Sequence, residues 1–384
     1  MSGCVPIRSG VPYGGSPYRD PATMSQGEIM HLATGFSLTH DQFFDMVSVN
    51  RILYVGESHD NIYDHQMELE IIKNLYQRYP GKITVGIEMF SRKSQSEIDR
   101  WIDGNLTEKE FIRLFAVNWG VYDYIYYRDI FQFIKEQRIP LLALNANKEE
   151  SMTTTEKKID SQGSRFGNYE DSYQQHTLSA LFLGHEKGSD DYRNFATVQE
   201  LWEDTMTDSI VTFLTRDEGK DKKMIVITGR FHVAYGFGIP RRVFQRLKIP
   251  YSIILSFTPE ELVENERQLM DVDFPELPLY RAEYLWCIPY RNLKDQQVKL
   301  GGVLREENDK VSIVSVVDEG AAHRAGLLSG DQINTLDGQS ISSILDLQML
   351  LIQKKPGDHA VINVIRNNNQ LQLPIYFRKK VHNK

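Results

Sequence analysis

The sequence predicts an α/β domain with a mainly parallel sheet flanked by helices, followed by a small, mostly-β C-terminal domain. Between residues 52 and 255, short apolar runs rich in β-branched residues alternate with segments of helical periodicity. Such an alternation favours parallel strands with helices on both faces of the sheet. From residue 299 onward the pattern changes to short apolar runs separated by dense turn signals, such as Asp337-Gly338.

Each element of the first domain is predicted from its own run. Strands are predicted at residues 52–55, 83–87, 141–144, 224–228 and 251–255. Helices are predicted at residues 64–79, 94–104, 107–115, 129–137, 198–214 and 241–247. The whole chain then divides into an N-terminal extension (1–40), the α/β domain (41–270), a linker rich in proline and aromatic residues (271–296) and the C-terminal domain (297–384).

Composition excludes some classes of partner. With a net charge of -8 and no run rich in lysine or arginine, the chain is not expected to bind nucleic acid. The short basic pair Arg241-Arg242 is interpreted as solvated surface. No apolar run approaches the roughly 20 residues that a membrane-spanning helix needs. Of the two cysteines, Cys287 stands in an aromatic-rich segment and is predicted to be buried.

The other cysteine, Cys4, allows two interpretations. Met1-Ser2-Gly3-Cys4 resembles the end of a bacterial lipobox, in which the cysteine becomes lipidated, although the basic and apolar regions of a signal peptide do not precede it. In the first interpretation Cys4 anchors the chain to a membrane of the bacterial cell envelope, and residues 5–21 form a flexible tether. In the second the match is chance, the segment is a disordered tail, and a cytoplasmic location stays open.

Titratable side chains follow the predicted strands. Glu57 and His59 come after the first strand, Glu88 after the second, Asn145 after the third and His232 after the fourth. Because ligands of parallel α/β sheets bind outside the carboxyl ends of the strands, we expect these side chains to form one functional site. Taken singly, a histidine after a strand is more often an ordinary loop residue, and a glutamate there often caps a helix.

Two kinds of chemistry suit this set. Glutamate and histidine side chains can ligate a divalent metal ion, which would activate a bound water molecule. Without a metal, a carboxylate that orients an imidazole makes a general base. The spacing Gly-x-x-His occurs twice, at Gly56 to His59 and at Gly229 to His232, and glycine would allow a tight turn that presents each histidine.

The residues from about 52 to 257 also resemble the ChaN family of the haem-binding-uptake/Tiki superfamily. Six blocks in order carry the resemblance: GESHDN (56–61), IEMF (87–90), NWGVYDYIYYRDIF (118–131), LLALNAN (141–147), LWEDTMTDSI (201–210) and GRFHVAYGFGIP (229–240). The resemblance implies an α/β fold with a cleft at the strand ends. It also implies a haem-binding lipoprotein linked to iron uptake, with haem iron held by tyrosine, assisted by histidine, across a homodimer.

This resemblance assigns expected roles to particular residues. Tyr235 is the first candidate for the haem ligand, with His232 and His59 assisting. The alternatives are Tyr122, Tyr124, Tyr126 and Tyr127, most of which should be packing or surface residues. In other branches of the superfamily, metal-dependent proteases or esterases use the equivalents of Glu57, His59, Glu88 and His232 as catalytic and metal-binding residues. The bulky pair Arg230-Phe231 departs from the small residues usual in that motif and would narrow the site.

The C-terminal domain resembles a PDZ domain over about residues 299–377. Leu300-Gly301-Gly302-Val303 is similar to its carboxylate-binding loop, and GAAHRAGL (320–327) is similar to the SPAAKAGL block of bacterial PDZ domains. Such a domain adds an extended peptide to its sheet edge while backbone amides hold the terminal carboxylate. Residues 346–353 are predicted to form the helix that lines the groove. Alternatively, the groove packs against the first domain and binds nothing.

The sequence is therefore compatible with three functions. It does not determine whether the chain is an enzyme. The first is a haem- or metal-binding protein of the cell envelope, linked to iron or haem uptake, whose PDZ domain binds a peptide or a protein C-terminus. The second is a metal-dependent peptidase or esterase whose PDZ domain recruits substrates. The third is a scaffold with a degenerate site.

Overall fold

The computed structural model describes residues 18–147, 190–259 and 280–379. The chain forms two compact units. One contains the residues up to Leu106 together with Asp129–Arg291, and the other contains Thr107–Arg128 together with the residues from Asn292 onward. Cys4, most of the predicted tether and the first nine residues of the predicted linker (271–279) lie outside the described residues. Among the described helices, none is long and apolar enough to cross a membrane.

The first unit is built on a mainly parallel sheet, as predicted. Its described strands are β1 (Ile29–His31), β2 (Phe36–Leu38), β3 (Ile52–Glu57), β4 (Ile83–Ser91), β5 (Leu141–Asn145), β6 (Lys223–Gly229), β7 (Tyr251–Phe257) and β8 (Tyr284–Cys287). They are arranged in the order β2-β1-β8-β7-β3-β6-β4-β5. The strands from β8 to β5 pair in parallel, whereas β1 pairs antiparallel with both β2 and β8.

Helices connect these strands. They are α1 (His40–Val47), α2 (Ile62–Arg78), α3 (Gln95–Ile102), α4 (Glu108–Asn118), α5 (Tyr124–Glu136), α6 (Asp190–Thr215) and α7 (Ile239–Arg246). Local sequence explains several boundaries. The side chain of Asn61 caps α2 by accepting a hydrogen bond from the Tyr63 amide, and Thr107 and Glu110 form a reciprocal capping box at the start of α4.

Three short strands differ from the sequence-based expectation. β1 and β2 arise in the segment interpreted as an N-terminal extension, and β8 arises in the segment interpreted as a linker. Each is only three or four residues long, so no periodicity identifies it. Burial holds β8 in place, because all four of its residues are buried between β1 and β7. Cys287, at the end of β8, is buried as predicted.

The second unit contains an antiparallel sheet, which confirms the mostly-β domain. Its described elements are β9 (Gly302–Glu307), β10 (Lys310–Val316), α8 (Ala321–Arg324), β11 (Gln332–Leu336), β12 (Gln339–Ser340), α9 (Ile344–Leu351), β13 (His359–Arg366) and β14 (Asn369–Tyr376). The strand order is β14-β13-β11-β10-β9, with β12 paired to β11. A core that includes Val311, Ile333, Leu347 and Ile362 fills the space beneath the sheet.

Residues 107–128 pack within this second unit. Arg113 of α4 forms an ion pair with Asp346, which itself accepts hydrogen bonds from Ser342 and Ser343 at the start of α9. The Tyr126 hydroxyl accepts a hydrogen bond from the Leu293 amide at 2.6 Å. Met349 and Leu350 of α9 are buried and, with residues of α4 and α5, line a cavity of about 540 Å³. The stretch 107–128 is therefore structurally part of the C-terminal unit.

Candidate functional site

Strand order brings the predicted acids and histidines of the first unit together. β6 lies between β3 and β4, so the carboxyl ends of these three strands are neighbours. Glu57 is the last residue of β3, Glu88 lies within β4, and His232 ends a short 3-10 helix (Arg230–His232) that follows β6 directly. His59 follows β3 by two residues. All four side chains therefore converge at one edge of the sheet.

Glu88 and His232 form a buried ion pair. The Oε1 atom of Glu88 lies 3.4 Å from Nε2 of His232, while its Oε2 accepts hydrogen bonds from the Thr228 hydroxyl at 2.6 Å and the Gly229 amide at 2.7 Å. Burial opposes ionisation of Glu88, but the charge of His232 and these hydrogen bonds lower the pKa of Glu88 to about 2. The carboxyl group is therefore ionised at neutral pH.

A second carboxylate contacts the other side of the His232 ring. Nδ1 of His232 lies 3.4 Å from Oε1 of Glu203, a buried residue of α6. Burial lowers the pKa of His232, but Glu88 and Glu203 outweigh it and raise the pKa to about 10. At neutral pH, His232 is thus an imidazolium ion held between two carboxylates.

Arg242 completes this network from α7. Its Nη1 lies 2.6 Å from Oε2 of Glu203, and its Nε lies 2.9 Å from Oδ1 of Asp204. Arg242 is only 4% exposed, so its interpretation as solvated surface is wrong. The sequence of two adjacent arginines does not indicate which side chain faces the core. The acidic partners of Arg242 lie on a different helix, α6, so the residues around Arg242 do not reveal them.

Glu57 and His59 make a second, more accessible pair. Nδ1 of His59 donates to Oε1 of Glu57 at 2.6 Å, and the His59 side chain is 38% exposed whereas that of Glu57 is fully buried. Burial lowers the pKa of His59, but the hydrogen bond and charge of Glu57, together with the charge of Glu88, raise it above its ordinary value. With Nδ1 committed to a carboxylate, Nε2 is the nitrogen that can bind a metal ion or haem iron.

His65 and Glu68 of α2 extend the site and were missed by sequence reasoning. Nδ1 of His65 lies 3.0 Å from Oε2 of Glu68 and 3.2 Å from Oε2 of Glu57. Burial and the charge of Glu57 raise the pKa of Glu68 well above its ordinary value, and the two carboxylates outweigh burial to raise the pKa of His65. The available signal was a histidine and a glutamate three residues apart on the apolar face of a predicted helix.

The glycines of the two Gly-x-x-His motifs act through close packing. A Cβ atom on Gly56 would lie 2.4 Å from Cδ2 of Leu255 and 2.9 Å from Cα of Arg230. A Cβ atom on Gly229 would lie 3.1 Å from Nε2 of His59. Gly229 has a φ of -51°, which other residues adopt readily. Space beside the site, rather than a left-handed turn, therefore explains why these positions are glycine.

Tyr235, the expected haem ligand, has a different set of contacts. Its ring stacks on Phe237 at 5.8 Å and packs against the core of the first unit. Its backbone is left-handed, with a φ of 58°, and its amide donates to the Arg281 carbonyl at 2.8 Å. The alternative tyrosines (Tyr122, Tyr124, Tyr126 and Tyr127) belong to the second unit, where all but Tyr122 are buried. Asn145 ends β5, and its side chain accepts a hydrogen bond from the Ala146 amide.

The predicted peptide-binding loop lies at the start of β9. Leu300 is buried in the core of the second unit, and Gly301 has a φ of 83°, a conformation that favours glycine. A Cβ atom on Gly301 would also lie 3.1 Å from Cα of Gly320. Val303 is 56% exposed on β9, and Ile344 of the groove helix α9 donates its amide to Glu306 of the same strand at 2.8 Å. The loop, strand and helix of the expected groove are all present.

Solved structures were compared with this fold. ChaN of Campylobacter jejuni, a structure described as showing cofacial haem binding, aligns with a TM-score of 0.54 over 69% of this chain and 97% of that one, at 15% identity. At that identity the likeness shows the fold. The HtrA-type protease AlgW, solved with a decapeptide, aligns over 22% of this chain and 30% of its own at 23% identity, with a TM-score of 0.21.

Sequence comparisons give a curated relative and two family models. The Arabidopsis thaliana protein RETICULATA-RELATED 5, chloroplastic, is 23% identical over 259 residues, which are 62% of this chain, and the chain spans only 34% of that protein's length. A PDZ-domain model matches residues 298–376. The model described as "Haem-binding uptake, Tiki superfamily, ChaN" matches residues 43–243, more than half of the chain. The chain therefore belongs to the ChaN family of the haem-binding-uptake, Tiki superfamily, and it carries a C-terminal PDZ domain.

Proposed function

We propose that the first unit binds haem at the carboxyl end of β3, with His59 as a ligand of the haem iron. The observation that carries this proposal is the Glu57–His59 pair, in which a buried carboxylate fixes one ring nitrogen of a histidine whose side chain is 38% exposed. Metal-bound histidines in proteins are usually oriented by such a partner. The family model that matches residues 43–243 is described by haem binding, which supports haem as the molecule that this domain binds.

Haem binding would suit this sheet edge in other respects. Phe231, next to His232, is 53% exposed and offers an apolar surface to a porphyrin. When bound, haem supplies an iron centre with axial positions for protein ligands. His232 is a poor axial ligand because it is buried and holds its proton between Glu88 and Glu203. Tyr235 remains a proposed ligand from the family resemblance, although its ring lies against Phe237.

The cellular role follows from the same proposal. A haem-binding domain joined to a PDZ domain would serve haem or iron uptake at the bacterial cell envelope, anchored through a lipid on Cys4. A homodimer would bring two half-exposed His59 side chains to a shared haem. The alternative is a metal-dependent peptidase or esterase that uses Glu57, His59, Glu88 and His232.

Titration of haem into the purified full-length chain tests the proposal. We expect a shifted Soret band that saturates in wild type and a binding constant at least about tenfold weaker in His59→Ala, because an axial ligand is lost. Tyr235→Phe tests the tyrosine in the same assay. His40→Ala is the matched control, since His40 also pairs with a glutamate, Glu70, but on the exposed surface.

Two results would contradict haem binding at His59. One is an unshifted Soret band in wild type. The other is equal affinity in wild type and His59→Ala. If the Soret band does not shift and the protein shows metal-dependent hydrolysis that His232→Ala abolishes, the hydrolase alternative replaces the haem proposal.

We further propose that the PDZ domain binds a peptide C-terminus between β9 and α9. The support is the loop at Leu300–Val303, whose exposed Val303 lies at the entrance of the expected groove. Arg113 pairs with Asp346 at the start of the groove helix, so residues 107–128 hold that helix in place. The affinity for peptide should therefore depend on Arg113, which lies outside the PDZ sequence.

Fluorescence anisotropy with a library of labelled peptides tests this dependence. Peptides with a free C-terminus should bind at least about tenfold more tightly than their amidated forms, because backbone amides hold the carboxylate. Arg113→Ala should weaken binding about threefold or more, because it removes the charged partner of Asp346, the N3 residue of the α9 capping box. Arg128→Ala is the control, since Arg128 pairs with Glu108. Equal affinities for free and amidated peptides would contradict C-terminal recognition.

A further inference from the structure

Glu57, which orients His59 in the proposed haem site, also belongs to a buried cluster with His65 and Glu68, and these two residues have no role in that site. His65 and Glu68 lie one turn apart on α2, and Glu57 approaches them from the end of β3. Each of the three residues is at most 2% exposed. One donor atom from each lies within 4.8 Å of the other two. Two carboxylates and an imidazole thus share a small volume from which solvent is excluded.

The orientation of His65 is that of a metal ligand. Its Nε2 lies 3.3 Å from the carbonyl oxygen of His59, so the Nε2–H group donates to the backbone. Nδ1–H donates towards Glu68 and Glu57, so a metal ion that displaces this proton would meet the Nδ1 lone pair facing both carboxylates. A hydrogen bond from the remote nitrogen to a backbone carbonyl is the usual partner of a metal-bound histidine.

The separations also suit an ion. Nδ1 of His65 lies 3.0 Å from Oε2 of Glu68 and 3.2 Å from Oε2 of Glu57. Adjacent ligands that bind one ion at about 2.0–2.2 Å lie roughly 3.0–3.5 Å from each other. Small movements of the side chains would therefore complete three bonds to a common centre.

The cluster leaves one buried carboxyl oxygen without a donor. The remaining oxygen of Glu68, Oε1, has no hydrogen-bond partner among the described residues. A buried carboxylate oxygen without a donor is costly, and a divalent ion would compensate both carboxylates at once.

We propose that Glu57, His65 and Glu68 form a buried site for a first-row divalent transition metal such as Zn²⁺, Co²⁺ or Mn²⁺. The imidazole nitrogen favours these ions over Mg²⁺ and Ca²⁺, which prefer oxygen ligands. Because the residues are buried, the ion serves the structure rather than an open catalytic position. Glu57 would contact the ion through Oε2, and it orients His59 through its other oxygen, Oε1.

Cobalt binding to the chelator-stripped, full-length protein tests this site. Wild type should bind one Co²⁺ with visible d–d absorption, and Glu68→Gln should weaken that binding at least about tenfold, because a charged ligand becomes neutral at constant shape. Glu70→Gln is the matched control. Glu70 lies on the same helix and also contacts a histidine, His40, but on the exposed surface.

Other outcomes would overturn the site. Wild type that binds no Co²⁺, or Glu68→Gln that binds it as tightly as wild type, contradicts the proposal. Loss of binding in His232→Gln but not in Glu68→Gln would move the ion to the Glu88–His232 pair. If Glu68→Gln does not fold, thermal unfolding of the wild type is measured with and without Zn²⁺. A bound ion must raise the midpoint temperature, so an unchanged midpoint would contradict the site. Haem titration is a separate readout, so either proposal can fail without the other.

Discussion

Arg242→Ala is expected to lower the free energy of unfolding of the ligand-free protein by about 3–5 kcal/mol. Arg242 is buried and neutralises Glu203, whose other oxygen faces His232. Removing the guanidinium group leaves a buried carboxylate with less compensation and opens a space beneath α7. Denaturant unfolding, monitored by circular dichroism, measures the change. The midpoint denaturant concentrations of wild type and variant give the stability difference when the dependence of the unfolding free energy on denaturant is the same for both.

Arg246→Ala provides the matched control on the same helix. Arg246 also pairs with an α6 aspartate, Asp208, but both side chains are partly exposed, at 27% and 36%. An exposed pair of this kind contributes about 0–1 kcal/mol, because solvent screens the charges. Equal losses of stability in the two variants would show that burial does not set the contribution of Arg242.

The second large effect concerns pH. The pKa of His232 is raised to about 10, so its contribution to stability is complete below the ordinary histidine pKa of about 6.5 and is lost as the pH rises to about 10. Glu88 behaves oppositely, since its pKa is lowered to about 2 and its contribution is lost only as the pH falls through that value. Between pH 7 and 10, the loss from His232 applies and the loss from Glu88 does not.

Unfolding of wild type and His232→Gln, measured from pH 7 to 10, isolates this contribution. The difference in unfolding free energy between the two proteins should shrink by up to about 1.4 kcal/mol per pH unit, the value for one proton. Groups that titrate alike in both proteins cancel in that difference. His40→Gln, at an exposed position, is the control. A difference that stays constant with pH would show that His232 is neutral in the folded protein.

The fold was largely predictable because its central strands are apolar throughout. β3, β4, β6 and β7 are buried on both faces, and their runs of branched residues identify them without reference to their neighbours. β8 could not be found in this way. Tyr284–Cys287 is a strand only because β1 and β7 supply hydrogen-bonding partners on either side, and those partners come from distant parts of the chain.

The site was predictable to the extent that it follows the strands. Strand ends in a parallel sheet must meet at one edge, and this brings together Glu57, His59, Glu88 and His232. Glu203 and His65 lie on helices, and a helix shows its partner only after it packs against the sheet.

The assignment of residues 107–128 to the second unit has a consequence for dissecting the protein. A single cut after Arg291 would divide the sequence near the end of the first unit, yet α4 would stay on the N-terminal fragment and its packing partner α9 would leave with the other. The N-terminal fragment would expose Ile112 and Tyr124, and the C-terminal fragment would expose Met349 and Leu350, which line the same cavity. The two fragments should therefore reassociate even though no peptide bond joins them. The stability and binding properties of either unit should be measured on the full-length chain, because neither fragment contains the complete second unit.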